Sequence, residues 1–209
     1  MRTDMVFKEF AEGYRLNSNR IHNPQSAIRN PQSGSEWEPN PAKVSLDEEE
    51  AHVWRVRLQV SPGRLERFLK GLSPEEKKRA GEMKSREARR HFVLTRSALR
   101  VILARYLPCV PKQIRFAHRR GGKPVLGESH KDQRVQFNVA HSEDVALIAV
   151  GQSWEIGVDV EWLQPRPSAM RIAKRFFSPR ENVILQALTS HDQLEKFYML
   201  WCRKEACAK

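Results

Sequence analysis

The chain has 209 residues, 40% of them hydrophobic, so it can bury a core as one domain of two lobes or as two small domains. Lysine and arginine number 37 against 25 acidic residues, and the net charge of +12 favours an acidic partner: nucleic acid, a phosphorylated cofactor, an acidic protein or a membrane surface. The chain has three cysteines and no C-x-x-C pair, which argues against a disulfide framework. We find no signal peptide and no run near the ~20 apolar residues that cross a bilayer, so we predict a cytoplasmic location.

The first part of the chain is polar and repetitive. The segment N-P-Q-S-A-I-R at residues 23–29 is followed at once by N-P-Q-S at residues 30–33. Such a tandem repeat with proline and glycine cannot bury enough apolar surface to fold alone. We therefore predict that residues 1–48 form a disordered extension.

A strand and two similar helical units are predicted next. The stretch H-V-W-R-V-R-L-Q-V alternates and predicts a strand with one buried face, formed by Trp54, Val56, Leu58 and Val60. The sequences L-S-P-E-E at Ser73 and F-S-P-R-E at Ser178 each combine an N-cap serine, a first-turn proline and a capping-box glutamate. A longer helical run follows each, over residues 92–107 and 194–208. This similar spacing indicates an internal duplication and two related lobes, although S-P-x-E is common enough at helix starts to recur by chance.

The middle of the chain predicts an antiparallel meander of three strands. The runs R-V-Q-F-N-V-A-H and D-V-A-L-I-A-V are joined by a short polar turn, and the third strand is predicted at Glu155–Glu161. In that strand a period of two places Asp159 and Glu161 on one face. Behind it, A-M-R-I-A-K-R-F-F predicts a helix whose buried stripe contains Ala169, Ile172, Ala173 and Phe176.

Three carboxylates in these elements need a partner. Asp159 and Glu161 repel each other unless they form a solvated sheet edge or share a cation. Glu205 falls on the apolar stripe of the last predicted helix, where an unpaired carboxylate is costly. Its simplest partner is Lys209, four residues further on, as a helix ion pair. The alternative is a metal site, because hard oxygen ligands without histidine or cysteine suit Mg²⁺ that shares its shell with substrate phosphates.

The sequence also contains a set of motifs in a characteristic order. F-N-V-A-H-S, I-G-V-D-V-E, A-K-R-F-F-S-P-R-E and W-C-R-K-E-A-C-A-K resemble those of the Sfp-type 4′-phosphopantetheinyl transferases of the holo-acyl-carrier-protein synthase superfamily. The upstream L-S-P-E-E-K-K-R-A, R-R-H-F-V-L-T-R-S-A-L-R and G-K-P fit the same family, so the resemblance extends over residues 53–209. It implies an α+β fold of two pseudo-symmetric lobes, each an antiparallel sheet packed on helices. We place the first lobe at residues 49–154 and the second at residues 155–209.

The resemblance implies a reaction and a set of site residues. The family transfers the 4′-phosphopantetheine arm of coenzyme A to a serine of an apo acyl or peptidyl carrier protein and releases adenosine 3′,5′-bisphosphate. By this resemblance Asp159, Glu161 and Glu205 are ligands of Mg²⁺. Glu205 also matches the family's candidate base for the serine, and Lys209 and His141 match further catalytic residues. One carboxylate can hardly be a tight metal ligand and a free base at once, so both roles of Glu205 stay open. Matches to contacts with coenzyme A are Arg79, Arg90, Lys123, Pro124, His141, Lys204 and Lys209.

The chain departs from the family pattern in two places. Ala140 stands before His141 where many relatives have serine, and the chain stops at Lys209, whereas relatives continue through further strands. We therefore expect an incomplete second lobe in a C-terminally truncated chain.

For the transferase we expect a monomer that binds neither nucleic acid nor a membrane. Two other functions remain as alternatives. One is a Mg²⁺ nuclease, in which the same acids support cleavage of a phosphodiester. The other is a basic nucleic-acid-binding protein in which the acids are structural. Neither accounts for the G-K-P and F-N-V-A-H-S motifs. No local motif indicates which carrier protein or pathway such a transferase would serve.

Overall fold

The computed structural model describes residues 44–119, 122–130 and 133–209, together with two short strands nearer the start of the chain. The strands are β1 (Ala11–Asn17), β2 (Glu38–Pro39), β3 (Glu50–Arg57), β4 (Phe116–His118), β5 (Pro124–Leu126), β6 (Val135–Ser142) and β7 (Val145–Gln152). The α-helices are α1 (Pro62–Lys70), α2 (Pro74–Glu82), α3 (Arg86–Leu103), α4 (Ala169–Phe176), α5 (Pro179–Gln186) and α6 (Ser190–Ala208). Two 3₁₀ turns, Pro111–Gln113 and Glu128–His130, lie in the connections.

Five strands form one antiparallel sheet in the order β2-β1-β3-β7-β6, and β4 pairs with β5 separately. A tight turn joins β6 to β7, so that Ser142 lies opposite Val145, and Glu143 in this turn has a positive φ of 47°. In the centre of the sheet Trp54 of β3 lies opposite Ile148 of β7. The predicted antiparallel pairing of the first two strands of the meander is confirmed.

Strands β1 and β2 fall inside the segment for which we predicted disorder. β1 pairs with β3 along its length, from Ala11 opposite Val56 to Asn17 opposite Glu50. This pairing satisfies the backbone groups on the edge of β3 that β7 leaves free. The expectation of disorder therefore does not hold for these two strands, and the rest of the segment up to residue 43 lies outside the described residues.

The main core lies between the sheet and helices α1 and α3. α3 begins at residue 86, earlier than predicted, because the Ser85 hydroxyl accepts a hydrogen bond from the Ala88 N–H at 3.2 Å and caps the helix. Its inner face meets the sheet and α1, and the Ser97 hydroxyl donates to the Phe68 carbonyl at 3.2 Å. The largest fully buried side chains of this core are Trp54, Leu58, Leu94, Leu99, Ile102, Leu103, Ile114 and Ile148.

Strand β3 is buried on both faces, which corrects the prediction of one buried face. Trp54, Val56 and Leu58 lie in the main core as predicted. Ala51 and Val53, on the opposite face, are only 2% and 3% exposed and form a second core with residues of β6, β7 and the stretch after β7. The sequence did not show this second cover, because it comes from a distant part of the chain.

Residues 155–162, which we call the carboxylate segment, provide that cover. Ile156 and Val158 are buried against the sheet, as the alternating pattern predicted. The prediction of a third strand at Glu155–Glu161 is nevertheless wrong, because the segment has no strand pairing. The inward side chains of the segment pack on the face of the sheet, and its backbone does not pair with an edge strand. Apolar and polar residues therefore alternate here although no strand is formed.

Helices α4, α5 and α6 form a separate cluster around aromatic side chains. The Phe177 and Phe197 rings stack with centroids 5.5 Å apart, next to Tyr198 and Leu185. The predicted stripe of α4 is partly wrong, because Phe176 is 53% exposed and Phe177, the next residue, takes the buried place. The helix at Phe177 has ended, so the backbone direction changes and exchanges the two positions.

Both predicted capping boxes are present. At Ser73 and at Ser178 the hydroxyl accepts from the glutamate N–H three residues on, while the glutamate carboxylate accepts from the serine N–H. The α+β fold class, with antiparallel strands packed on helices, is confirmed. Beyond Gln152, the described residues contain helices and no strand. None of the helices in the described ranges combines the length and apolarity needed to span a bilayer.

Candidate functional site

The carboxylate segment meets helix α6 at a backbone contact. A Cβ on Gly157 would lie 1.8 Å from the Ala206 carbonyl oxygen, so only glycine allows this approach. The contact brings the outward side of the segment, which carries Asp159 and Glu161, against the last turns of α6. Glycine in I-G-V-D-V-E thus has a packing reason that is independent of any motif.

Asp159 is the carboxylate that α6 contacts most directly. Its Oδ1 accepts a hydrogen bond from Lys209 Nζ at 2.5 Å, and the same ammonium donates to the Val158 carbonyl at 3.2 Å. Lys209 therefore pairs with Asp159 and not with Glu205, which corrects the predicted helix ion pair. The Asp159 side chain is only 9% exposed, and its Oδ2 is buried without a hydrogen-bond partner in the described ranges.

Cys202 lies on the same side of α6, facing the two carboxylates. Burial raises the pKa of its thiol to about 12, and the negative charge and hydrogen bonding of Asp159, followed by the charge of Glu161, add to the effect. Glu205 follows one helical turn later, on the same face of α6. Asp159 and Glu161 therefore lie near Cys202, where the carboxylate segment meets α6, and Glu205 lies one turn further along that helix.

These residues have the chemistry of a Mg²⁺ site. The buried Asp159 Oδ2 has no hydrogen-bond partner in the described ranges, and carboxylate oxygen is a ligand that Mg²⁺ prefers. Among the described residues, however, no three acidic, histidine or cysteine side chains are close enough together to hold a metal ion. Lys209 supplies the positive charge at Asp159 in this arrangement.

A pocket of about 450 Å³ lies beside helix α3, and we call it the α3 pocket. Three predicted contacts with coenzyme A line it together: Arg79 from α2, Pro124 from β5 and His141 from β6. Its remaining lining residues are Met83, Ser85, Glu87, Ala88, His91, Phe92, Thr95, Arg96, Leu99 and Val139. The pocket thus combines cationic groups with an aromatic and apolar wall, which suits an anionic ligand with a flat ring.

His141 lines the α3 pocket and is also close enough to Lys209, the partner of Asp159, to feel its charge. Its ring meets the His91 ring edge-on, with centroids 6.0 Å apart. Burial lowers the pKa of His141 below its usual range, and the neighbouring His91 and Lys209 lower it further. These effects favour the neutral form of the imidazole, and an anion in the pocket would oppose them.

The other predicted contacts lie elsewhere. Arg90 donates to Asp144 Oδ1 at 2.7 Å in the turn between β6 and β7. Lys204 pairs with Glu181 at 2.9 Å and its ammonium lies 5.3 Å from the centre of the Phe177 ring, so it stabilises the start of α5. Lys123 lines a smaller pocket of about 170 Å³ near Phe137, and its ammonium donates to the Lys209 carbonyl.

Arg96 is a site residue that sequence reasoning missed. It is 8% exposed, lines the α3 pocket, and its Nη1 is buried with no hydrogen-bond partner in the described part of the chain. The guanidinium lies 4.6 Å from the centre of the Phe116 ring and 3.6 Å from Glu76, and burial lowers its pKa. Two arginines four residues apart in the apolar run V-L-T-R-S-A-L-R-V-I-L were the available signal.

Comparison with known proteins identifies the family. Residues 155–209 match the model of the 4′-phosphopantetheinyl transferase superfamily, and residues 58–153 match that of the N-terminal part of a 4′-phosphopantetheinyl transferase. The chain is 37% identical over 173 residues to the 4′-phosphopantetheinyl transferase HetI of Nostoc sp., covering 83% of this chain and 73% of HetI. The chain belongs to the 4′-phosphopantetheinyl transferase family.

Two further phosphopantetheinyl transferases match more distantly. Sfp of Bacillus subtilis is 31% identical over 144 residues, which cover 69% of this chain and 62% of Sfp. AcpT of Salmonella typhimurium is 31% identical over 110 residues, 53% of this chain and 54% of AcpT. The chain thus spans less than two thirds of Sfp and about half of AcpT. In the present chain, the region that matches the superfamily model begins at residue 155, the first residue of the carboxylate segment.

Proposed function

We propose that this chain transfers the 4′-phosphopantetheine arm of coenzyme A to a serine hydroxyl of an apo acyl or peptidyl carrier protein in the presence of Mg²⁺. The observation that carries the proposal is the buried, unpartnered Asp159 Oδ2 beside α6, close to a pocket lined by Arg79 and His141. Membership of the transferase family supports it.

The reaction is a phosphoryl transfer. The serine oxygen forms a bond to the phosphorus that bears the pantetheine, the bond from that phosphorus to the bridging pyrophosphate oxygen breaks, and adenosine 3′,5′-bisphosphate leaves. The serine proton passes to a base. Such a step needs charge neutralisation and orientation more than covalent help from the protein.

In this proposal Asp159, Glu161 and Glu205 hold Mg²⁺, which when bound neutralises charge on the pyrophosphate. Lys209 lies on Asp159, so its ammonium is placed to stabilise the same negative charge. Glu205 is also the candidate acceptor of the serine proton. His141 and Arg79 bind the phosphates at the nucleotide end, with Lys123 as a further cation, and Pro124 contributes an apolar contact with the coenzyme.

Arg90 and Lys204 have a weaker place in the proposal. Each is held by a carboxylate of its own, Asp144 and Glu181 respectively. A phosphate would have to compete with those pairs. We propose that they contribute to the positive potential around the coenzyme rather than to direct contacts.

The wider setting is also a proposal. We propose lobes at residues 49–154 and 155–209, and a cytoplasmic monomer whose partners are coenzyme A and a carrier protein. The net charge of +12 would attract both, because the coenzyme carries several phosphates. No contact or motif in the described ranges favours the nuclease or the nucleic-acid-binding alternative.

The direct test is the intact mass of an apo carrier protein after incubation with this chain, coenzyme A and Mg²⁺. We expect a gain of one phosphopantetheine that disappears when the metal is chelated. Glu205→Ala should abolish it, whereas Glu195→Ala, an exposed glutamate on the same helix, should not. Absence of any gain with a panel of acyl and peptidyl carriers would contradict the proposal for this chain.

A second test separates the two roles of Glu205. Glu205→Gln keeps an oxygen ligand but cannot accept a proton. If Glu205 is the base, the maximal rate falls while the Mg²⁺ concentration for half-saturation stays the same. If it is mainly a ligand, that Mg²⁺ concentration rises and excess Mg²⁺ restores most of the rate.

A further inference from the structure

Side chains, and not a strand ladder, hold the carboxylate segment on the sheet. Within residues 155–162 no backbone-to-backbone hydrogen bond to another described residue is present. Two backbone N–H groups instead meet acceptors on β6. The Val158 N–H donates to Asn138 Oδ1 at 3.1 Å, and the Trp162 N–H donates to Ser142 Oγ at 3.0 Å.

The two contacts match each other in position. The donors are four residues apart on the segment, and the acceptors are four residues apart on β6. Val158 immediately precedes Asp159, and Trp162 immediately follows Glu161. The contacts therefore fix the backbone at both ends of D-V-E.

Asn138 has the environment of a structural clamp. It is 3% exposed, on the face of β6 that turns toward the segment and away from α3. A buried amide would be costly without a partner, and its carbonyl oxygen has one in the Val158 N–H. The side chain thus replaces the backbone carbonyl that a paired strand would have provided.

The opposite side of the segment is fixed by α6. Lys209 Nζ donates to the Val158 carbonyl, and Gly157 lies against the Ala206 carbonyl. Val158, the residue before Asp159, is consequently held at its N–H by Asn138 of β6 and at its carbonyl by Lys209, directly after α6. His141, between the two clamp residues in sequence, faces the α3 pocket from the same strand.

We infer that Asn138 and Ser142 are positioning residues that set the place of Asp159 and Glu161 relative to His141, and thereby the affinity for the metal. The inference rests on the proposed function. Outer contacts that orient ligands typically contribute ten- to a hundredfold to metal affinity. Because both ends of D-V-E are pinned to β6, loss of one contact should act on the carboxylates without removing a ligand.

The test is thermal unfolding of the full chain across a Mg²⁺ titration with coenzyme A present, which gives the half-saturating Mg²⁺ concentration. Asn138→Leu removes the acceptor at similar size, and Ser142→Ala removes the second. Each should raise that concentration about tenfold. Ser142→Thr keeps the hydroxyl and should restore the wild-type value.

The matched control is Asn182→Leu. Asn182 also bonds the backbone, but as a donor: its Nδ2 donates to the carbonyls of Ala173, Phe177 and Ser178 at the junction of α4 and α5. It should lower the melting temperature and leave the half-saturating Mg²⁺ concentration unchanged. If Asn138→Leu does not fold, the pair Ser142→Ala and Ser142→Thr decides the question.

The outcomes separate the inference from the proposed function. Clamp variants that melt earlier but keep the wild-type Mg²⁺ requirement would show a purely structural role and overturn the inference alone. A wild-type chain without any Mg²⁺-dependent stabilisation in the presence of coenzyme A would overturn both. A raised requirement in Asn182→Leu as well would show that the effect follows stability, which also contradicts the inference.

Discussion

The imidazole of His141 lies next to two groups that resist its protonation. Burial of the ring comes first, and the charges of His91 and Lys209 add to it, so the pKa lies below that of a free histidine. The same side chain lines the α3 pocket, where phosphates of the coenzyme are proposed to bind. An anion there favours the imidazolium form and opposes both effects.

We therefore predict that coenzyme A binding takes up a proton at His141. The pKa is low in the free chain and higher in the complex, so affinity should rise as the pH falls from the bound-state pKa to the free-state pKa, and then level off. Calorimetry at pH 6.5 in two buffers with different ionisation heats measures the uptake. His141→Gln should take up less, and this difference isolates the imidazole from the coenzyme's own phosphates. Equal uptake in both proteins would contradict the prediction.

Arg100 shows what a buried cation does when it is fully engaged. It donates to Glu76 Oε2 at 2.9 Å and to the carbonyls of Pro111 and Ile114 at 2.8 and 2.9 Å. Arg100→Met should lower the free energy of unfolding by roughly 3 kcal/mol, because Glu76 and two carbonyls lose their donor. Arg100→Lys should recover little, since an ammonium cannot reproduce the planar fork.

Chemical denaturation measures this loss. Arg86→Met, at an exposed position on the same helix, is the control and should change stability by no more than about 0.5 kcal/mol. A similar loss in both variants would show that the Arg100 network is not what stabilises the junction of α2 and α3.

At the scale of elements, Gly157 determines how closely the carboxylate segment approaches α6. In Gly157→Ala the added Cβ would overlap the Ala206 carbonyl, which is backbone and cannot move alone. We predict a loss of roughly 1 to 3 kcal/mol in unfolding free energy and a weaker response to Mg²⁺, because Asp159 and Glu205 move apart. Thermal unfolding with and without Mg²⁺ and coenzyme A measures both.

The control for this change is Gly81→Ala in helix α2. Nothing lies within 4 Å of a Cβ built there, so alanine should be neutral or stabilise by about 0.5 to 1 kcal/mol. If Gly157→Ala behaved like Gly81→Ala, the close contact would have no energetic meaning.

Local sequence patterns predicted the helices and strands well but predicted poorly which parts of the chain pack against them. The capping boxes at Ser73 and Ser178 depend on residues three apart, and both were found where predicted. The third strand failed because alternation reports burial on one side and not pairing at an edge. The second core on β3 depends on a distant part of the chain, which no local pattern contains, and the exchange of Phe176 for Phe177 depends on where α4 ends, which the apolar stripe did not indicate.

The candidate site divides in the same way. Motif matching predicted Arg79, Pro124 and His141 as coenzyme contacts, and the structure shows that they line one pocket. The motifs did not indicate that Arg90 and Lys204 already have acidic partners. It also missed Arg96 and Asn138, whose importance follows from burial. Burial of a polar group is a property of the whole fold, so it becomes visible only when the packing is known.

For the whole molecule, the net charge of +12 predicts opposite effects of salt on binding and on stability. Between 0.05 and about 0.5 M NaCl the affinity for coenzyme A should fall, because screening weakens the attraction between exposed cations and phosphates. The melting temperature without ligand should rise slightly, because the same screening relieves repulsion among the excess positive charges. Fluorescence titration and thermal unfolding at matched salt concentrations measure the two. Salt-independent affinity would contradict an electrostatic contribution of the surface.

The thiols of α6 differ in a way that is useful for chemical labelling. Cys202 is held protonated by its surroundings, with a pKa of about 12, whereas Cys207 on the same helix is exposed. The reactive form of a thiol is the thiolate, so alkylating reagents near pH 7.5 should modify Cys207 well before Cys202. Cys109, whose pKa burial also raises, should react slowly too. A single fluorophore can therefore be attached to the native sequence two residues from Glu205, where it would report on events at the carboxylates without an engineered cysteine.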